Sequence, residues 1–428
     1  MRRMNRNQFI IYFLRLYNLV WKLTLPFMKK NARLKQGFQK RTSTVHLFKK
    51  ADIWIQAASA GEAYLAVHLV KALEPRQPTR VLLTTTTSQG MDILSDAFKE
   101  SFKMPGLSVR IEWVPFDMPE LIEKAVAAID PDLMVLVETE LWPAMLYYLK
   151  RNRSRIFIIN GRLSENSFKR YMQTGFLWKK LSPDRIYATS SLDRDRFQTL
   201  FPTAHVEFMS NIKFDDLPVE AETGQGIEHL PEPGLRFLVL ASVRKEEEKD
   251  MEKILKHILP QLSGCIIGLF PRHMHRISAW KKRLDRLHVN WVLKSRISAP
   301  PEPGTVLLWD TFGELKKAYA HADVALVGGS FKRLGGQNFI EPAINGVATV
   351  TGPHLDNFKW VGRDIFEQGI VFRAESWKQA ADRILHELKH PADRDGKRES
   401  AVRYVLRHQG GTRHAADEII RHLSAKRR

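Results

Sequence analysis

The stretch "IQAASAGEAYLAV", residues 55–67, changes from one structural period to another at Ser59. The residues before it belong to an apolar run, "DIWIQAAS", with the composition of a buried strand. Those after it carry an apolar helical pattern, and Ser59 and Glu62 stand at capping-box spacing. In that device a Ser at the helix start and a Glu three residues later satisfy orphan backbone N–H groups. A helix that opens directly at the end of a strand is half of a βαβ unit, and open α/β sheets bind their ligands along that edge. Glu62 is therefore either helix punctuation or a group that does chemistry, and the stretch alone leaves both open.

The same alternation continues along the chain. In the first half, "DIWIQAAS", "RVLLTTTT", "VRIEWVPF", "PDLMVLVET", "RIFIING", "RIYATS" and "HVEFMS" read as strands. Helical patterns cover 88–98, 118–129, 141–151 and 164–181. In "DDLPVEAETGQGIEHLPEPG" (215–234) the periodicity vanishes and Pro, Gly and acidic residues accumulate, which marks a linker. The second half repeats the logic with "RFLVLAS", "CIIGLF", "NWVLKS", "TVLLWD", "DVALVGGS" and "ATVTGP", then helical patterns at 394–408 and 412–426. The expected fold is α/β, with doubly wound domains at 46–214 and 235–408. A segment at 1–45 precedes them, and a helix at 409–428 follows that can pack back on the first domain. Two such domains imply a cleft fed by loops at strand C-termini. No G-x-G-x-x-G, Walker A, H-E-x-x-H or G-x-S-x-G motif is present, so the common dinucleotide, NTPase, zinc-protease and serine-hydrolase readings fall away.

Composition narrows the partners. The chain has 428 residues, 44% of them hydrophobic, and a formal net charge of +20. Such an excess of cations favours anionic partners. No nucleic-acid-binding signature accompanies it, and no nucleic acid is expected as a partner. The single cysteine, Cys265 in "GCIIGLF", permits no internal disulfide and no cysteine-based metal site, which points to a reducing compartment. The segment "QFIIYFLRLYNLVWKLTLPFM" (8–28) is flanked by Arg2, Arg3 and Arg6 and by Lys29, Lys30, Arg33 and Lys35. Arg15, Asn18 and Lys22 form a narrow polar stripe along it. The preferred reading is an amphipathic helix in the membrane interface with its cations near anionic headgroups. A spanning anchor and a helix packed on its own domain are the alternatives.

Several polar clusters fall at strand ends. "TTTTSQG" (84–90) brings Ser88 and Gly90 to a helix start, where hydroxyls and N–H groups can bind an anion. "VETELWP" (137–143) carries Glu138 and Glu140, a carboxylate pair whose spacing is equally compatible with capping. "INGRLSENSFKRY" offers Asn160 and Arg162, and "SNIKFDD" offers Asn211, Lys213 and Asp215; a lysine there can stabilise developing negative charge. "FPRHMHR" sets Arg272, His273, His275 and Arg276 after a strand, a group that stays exposed or meets an anion. "DTFGEL" (310–315) begins a helix, and "GGSFKRLGGQNFIEPAINGV" (328–347) combines close-packed glycines with Asn338 and Glu341. Glu341 can accept hydrogen bonds from a ribose diol or cap a helix. Asp193-Arg194-Asp195 resembles a metal-binding pair but reads as a helix start. No metal or cofactor is expected.

In this order, "SAGE", "TTTTSQG", "VETELWP", "NGRLSENSFKRY", "SNIKFD", "PRHMHR", "DTFGELKKAYAHADVALVGGS", "GGQNFIEPA" and "GPHLDNF" resemble the bacterial 3-deoxy-D-manno-octulosonic acid (Kdo) transferases over nearly the whole chain. The resemblance implies a GT-B fold, with two Rossmann-like doubly wound domains and an N-terminal membrane-associating helix. It implies an inverting, metal-independent glycosyltransferase that moves Kdo from CMP-Kdo to a sugar hydroxyl of a lipid A precursor in lipopolysaccharide biosynthesis. The location it implies is the cytoplasmic face of the cell inner membrane, with the anionic membrane surface as a partner. By the same resemblance Glu62 is the general base, while Glu138 and Lys213 assist the transition state. CMP contacts fall on Pro271, Arg272, Gly313, Glu314, Leu315, Asn338, Phe339, Ile340 and Glu341.

One stretch departs from the family pattern. Relatives often carry "STHxGEE" after the first strand of the second domain, where this chain has "ASVRKEEE" (241–248). The rival readings are a GT-B transferase or epimerase using a UDP-sugar, and a non-catalytic basic membrane-binding homologue. A Glu62 turned back onto Ser59 and away from the cleft would count against its role as a base.

Overall fold

The computed structural model describes residues 6–29, 36–47, 49–99, 104–220, 222, 225, 227, 235–262 and 264–426. Arg2, Arg3, Lys30, Arg33, Lys35 and much of the expected 215–234 linker lie outside these residues. The chain divides into two units, Met1–Asp215 with Gln409–Arg428, and Asp216–His408.

In the first unit the apolar runs become β1 (Ile53–Ala57), β2 (Thr79–Thr85), β3 (Leu107–Trp113), β4 (Leu133–Val137), β5 (Arg155–Gly161), β6 (Arg185–Ala188) and β7 (His205–Phe208). They form one sheet in the order β3-β2-β1-β4-β5-β6-β7. Every pairing is parallel, with Ile55 opposite Leu83 on one side and Val135 on the other. Both faces are covered, which is why β1 reads as an unbroken apolar run. Ile53, Ile55 and Ala57 pack with the helix Ala60–Lys71 and with Ala415, Ala416, Ile419 and Leu423 of the helix Gly411–Lys426. Trp54 points to the opposite face, toward the helices Pro119–Ile129 and Pro143–Arg151.

The second unit repeats the plan with β8 (Arg236–Val243), β9 (Cys265–Pro271), β10 (Trp291–Leu293), β11 (Val306–Leu308), β12 (Val324–Val327), β13 (Ala348–Thr351) and β14 (Val371–Arg373). Its order is β10-β11-β9-β8-β12-β13-β14, again all parallel. Leu238 and Leu240 face one cluster, Phe237, Val239 and Ala241 the other. In each sheet the winding reverses beside the first strand, between β1 and β4 and between β8 and β12. Loops leaving adjacent strands there diverge, and Glu62 and Glu138 sit at the first of these points.

The N-terminal helix Arg6–Met28 has two apolar faces. Ile10 and Leu14 are buried against the first core, with Phe13 and Tyr17 beside them. Phe9, Ile11, Tyr12, Leu16, Leu19, Val20, Leu23 and Phe27 are exposed. The polar stripe expected near lipid headgroups is partly engaged by the protein's own surface: Asn18 Nδ2 and Lys22 Nζ both donate to Oε1 of exposed Glu120, at 2.9 and 2.6 Å. Glu120, in the first turn of Pro119–Ile129, attracts them by its own negative charge. Among the described residues no helix is long and apolar enough to cross a membrane. Two smaller differences are local. The expected 164–181 helix breaks into Glu165–Met172 and Gly175–Lys180 at Thr174, whose hydroxyl accepts from Trp178 Nε1 at 2.9 Å. The short edge strand β14 carried no sequence signal.

Because Ile419 is fully buried in the first core, Ile419→Ala should cost about 2–5 kcal/mol in urea denaturation followed by circular dichroism. A loss below about 1 kcal/mol would show that Gly411–Lys426 is not part of that core.

Candidate functional site

At the end of β1 the chain does what the capping-box spacing predicts. Ser59 is in extended conformation and its Oγ accepts from Glu62 N at 3.3 Å. Glu62 Oε2 accepts from Ala58 N, and its Oε1 accepts from the Ser59 hydroxyl, each at 2.7 Å. The punctuation role of Glu62 is therefore real. The same side chain is also buried beside two other carboxylates. Burial raises its pKa, the hydrogen bonds from Ser59 and Ala58 oppose that rise, and the charge of Glu138 adds to it. Its two oxygens have four lone-pair sites in all, so the bonds from Ser59 and Ala58 leave Glu62 able to accept a proton.

Glu138 leaves β4 in a left-handed conformation, φ 58°, which a non-glycine residue adopts only when its surroundings hold it there. Its N–H donates to Ile159 O at 2.9 Å. Its Oε1 accepts from Lys213 Nζ at 3.1 Å, with Arg162 Nη1 at 3.9 Å. Lys213 is placed by two buried asparagines. Asn211 Oδ1 accepts from Lys213 N and Asn160 Oδ1 from Ile212 N, both at 3.0 Å. Asn160 is itself left-handed, φ 57°, at the end of β5. Asp215 serves the fold instead, accepting from Gly410 N at 2.6 Å and Thr412 N at 2.7 Å.

Glu140 completes the cluster. Burial, then the charges of Glu62 and Glu138, push its carboxyl up to about 8, against a hydrogen bond with Trp142 that lowers it. The sequence marked Glu138 and Glu140 as a pair, and the family resemblance grouped Glu62 with Glu138. Neither signalled that Glu140 would lie beside Glu62 as well, because that contact spans adjacent strands. The anion-site reading of "TTTTSQG" gives way to packing. Thr87 Oγ1 caps the helix Ser88–Ala97, and a Cβ on Gly90 would lie 2.3 Å from Thr85 Oγ1. Asp193 likewise accepts from Leu163 N and the Ser190 hydroxyl as a helix-start residue.

In the second unit the candidate residues lie on loops from the C-terminal ends of β9, β11 and β12. Pro271 ends β9 and is buried; Arg272 follows it, exposed, its N–H bonded to Val243 O at 2.8 Å. Gly313 takes φ 81° in the turn after β11. Glu314 accepts from Trp309 Nε1 at 2.7 Å and from the Thr311 hydroxyl, and Leu315 opens the next helix. Lys316 Nζ lies 3.5 Å from Glu341 Oε1, which sets the 313–315 turn beside the 338–341 turn. Asn338 Oδ1 accepts from Ile340 N at 3.1 Å. Phe339 and Ile340 are buried, so neither presents its side chain to a ligand. Arg276 is not free for an anion: it pairs with buried Glu248 at 2.7 Å.

The unusual "ASVRKEEE" stretch acquires a structural role here. The Glu247 carboxylate is fully buried and accepts from Arg244 N at 2.9 Å and Gly329 N at 2.5 Å. Ser330 N and Phe331 N complete the set, each at 3.3 Å. It ties together the two loops that diverge between β8 and β12.

The raised carboxyl of Glu140 has a consequence for stability. Its folded pKa of about 8 exceeds the ordinary 4.5, so its contribution is full below about 4.5 and is lost as pH rises through about 8. Glu140→Gln should therefore raise Tm relative to wild type by a margin that grows between pH 5 and pH 8, a range of about three units. Melting curves with a constant margin would contradict the buried, shifted carboxyl.

A family model described as 3-deoxy-D-manno-octulosonic-acid transferase (kdotransferase) matches residues 30–216. A 3-deoxy-D-manno-octulosonic acid transferase of Bordetella pertussis is 32% identical over 378 residues, 86% of this chain and 87% of that one. The corresponding protein of Haemophilus influenzae is 30% identical over 347 residues, 78% of each chain. Among solved structures, a glycosyltransferase from Rickettsia africae aligns with TM-score 0.54 at 11% identity, over 87% of this chain and 98% of that one, a likeness of fold. With the relatives' identity extending across both doubly wound units, this chain belongs to the 3-deoxy-D-manno-octulosonic acid transferase family and is a glycosyltransferase of the GT-B fold.

Proposed function

We propose that this enzyme transfers Kdo from CMP-Kdo to a sugar hydroxyl of a lipid A precursor, with inversion and without a metal ion. The observation that carries the reading is the cluster of Glu62, Glu138 and Lys213 at the winding reversal of the first sheet, in a chain of this family. The acceptor oxygen attacks the anomeric carbon of Kdo as Glu62 takes its proton. The bond from that carbon to the phosphate oxygen breaks, and CMP leaves with the electron pair. Attack from the side opposite the leaving group inverts the centre. Burial and the neighbouring Glu138 charge support Glu62 as a base, since both raise its proton affinity. Lys213, bonded to Glu138, supplies positive charge on the acceptor side. On the donor side, exposed Arg272 answers the phosphate, while the 313–315 and 338–341 turns offer backbone groups and Glu341 to the nucleoside. CMP leaves as a phosphomonoester, which carries less charge than a diphosphate, so side-chain cations suffice for it.

Glu62→Gln should lower turnover of CMP-Kdo onto a lipid A precursor by about 10²–10⁴-fold, read by mass spectrometry of the product, while CMP still binds. A fully active Glu62→Gln would remove the base from this mechanism. Complete loss of wild-type turnover in EDTA, restored by a divalent ion, would remove its metal independence.

The proposal places the enzyme on the cytoplasmic face of the inner membrane, held by the N-terminal helix lying in the interface. Its exposed row of Tyr12, Leu16, Leu19, Leu23 and Phe27 supports this, together with exposed Phe176, Lys179 and Lys180 nearby. In a vesicle flotation assay, Leu16→Glu with Leu23→Glu should release the protein from anionic vesicles; retention equal to wild type would overturn this placement.

A further inference from the structure

The loop 138–142, which carries Glu138 and Glu140, is pinned at both ends. At its start Glu138 N bonds to Ile159 O, and the Thr139 hydroxyl donates to Arg162 O. At its end it runs into the helix Pro143–Arg151, whose first free N–H groups need acceptors. The residue at the cap position is Trp142, which has no acceptor to offer them. The acceptor comes from elsewhere. Asp117, on the segment after β3, accepts from Ala144 N with Oδ2 at 3.1 Å and from Met145 N with Oδ1 at 2.8 Å. Asp117 is 5% exposed, and its remaining partner is the Tyr17 hydroxyl, which donates to Oδ2 at 3.2 Å. Tyr17 lies on the N-terminal helix, and Trp21 one turn on meets Phe116 at 5.5 Å between ring centroids.

One hydrogen-bonded chain thus runs from the N-terminal helix, through Asp117, into the helix that terminates the carboxylate loop. Among the described residues these bonds link two regions about a hundred positions apart in sequence, a separation that local propensity does not produce. We propose that Asp117 is a positioning residue for the loop bearing Glu138 and Glu140, and that Tyr17 couples the seating of the N-terminal helix to that loop. Asp117 touches no reacting atom; it acts by fixing where the loop ends. The proposal rests on the transferase reading above for its kinetic arm only. Asparagine cannot replace Asp117, because Ala144 N and Met145 N bond to different carboxylate oxygens and one of them would face the amide NH2, itself a donor.

The test uses the full-length enzyme with Asp117→Asn and Tyr17→Phe, each assayed well below its own Tm. With CMP-Kdo varied, Asp117→Asn should lower kcat by about tenfold or more and leave KM for CMP-Kdo within about twofold, as expected when geometry rather than donor binding is lost. Tyr17→Phe, which keeps the packing of the ring, should lower kcat by about threefold with the same unchanged KM. In parallel, hydrogen exchange at Ala144 and Met145 should accelerate by about tenfold in Asp117→Asn and less in Tyr17→Phe. A folded Asp117→Asn with wild-type kcat overturns the proposal, as does unchanged exchange at both amides. Should Asp117→Asn fail to fold, Tyr17→Phe decides by the same two readouts. A wild-type enzyme that transfers no Kdo would refute the transferase reading instead, and the exchange measurement would still decide whether the N-terminal helix holds the loop.

Discussion

Parallel strands cannot be joined by tight turns, so each connection in these sheets must cross a face and return. That constraint forces the winding to reverse once when helices cover both faces, and the reversal parts two loops that leave neighbouring strands. The first unit fills the parting with carboxylates: Glu62 from the first turn of the helix after β1, Glu138 and Glu140 from the loop after β4. The second unit treats the equivalent place in the opposite way. There Glu247 bonds to three successive N–H groups after β12 and closes the parting from within. The same topological accident yields a cluster of carboxylates in one unit and a structural weld in the other.

Three carboxylates in one place cannot all remain charged without compensation. The protein divides the labour by environment. Glu138 has a cation at hydrogen-bonding distance, Glu62 has two short hydrogen bonds, and Glu140 has mainly burial. Burial and neighbouring charge raise both Glu62 and Glu140, so each holds a proton more tightly than a free carboxylate does. The left-handed backbone of Glu138 shows that the arrangement is maintained against local preference.

Much of this was legible in the sequence because parallel strands buried on both faces read as continuous apolar runs. The strands from β1 to β13 follow the quoted runs closely, and the Ser59–Glu62 spacing produced the expected cap. What stayed hidden was non-local or too short. β14 is a three-residue edge strand. The break at Thr174 depends on a side-chain bond to Trp178 that no propensity encodes. Arg276 was grouped with possible anion ligands, since its partner Glu248 lies 28 residues away in sequence. Glu140 looked like the second half of a pair until the neighbouring strand brought Glu62 beside it. Asp117 drew no notice, because a buried carboxylate that caps a distant helix leaves no periodic trace.

The bonds from Asp215 to Gly410 and Thr412 carry a consequence for biogenesis. They fasten together the two places where the chain passes between units, so the second unit is an insertion whose ends are held close. The helix Gly411–Lys426, which contributes Ala415, Ala416, Ile419 and Leu423 to the first core, leaves the ribosome only after the whole insertion has been made. The unit that is begun first is finished last. Until then its β1 face lacks part of its cover, and the inserted unit can complete its own core while its host waits.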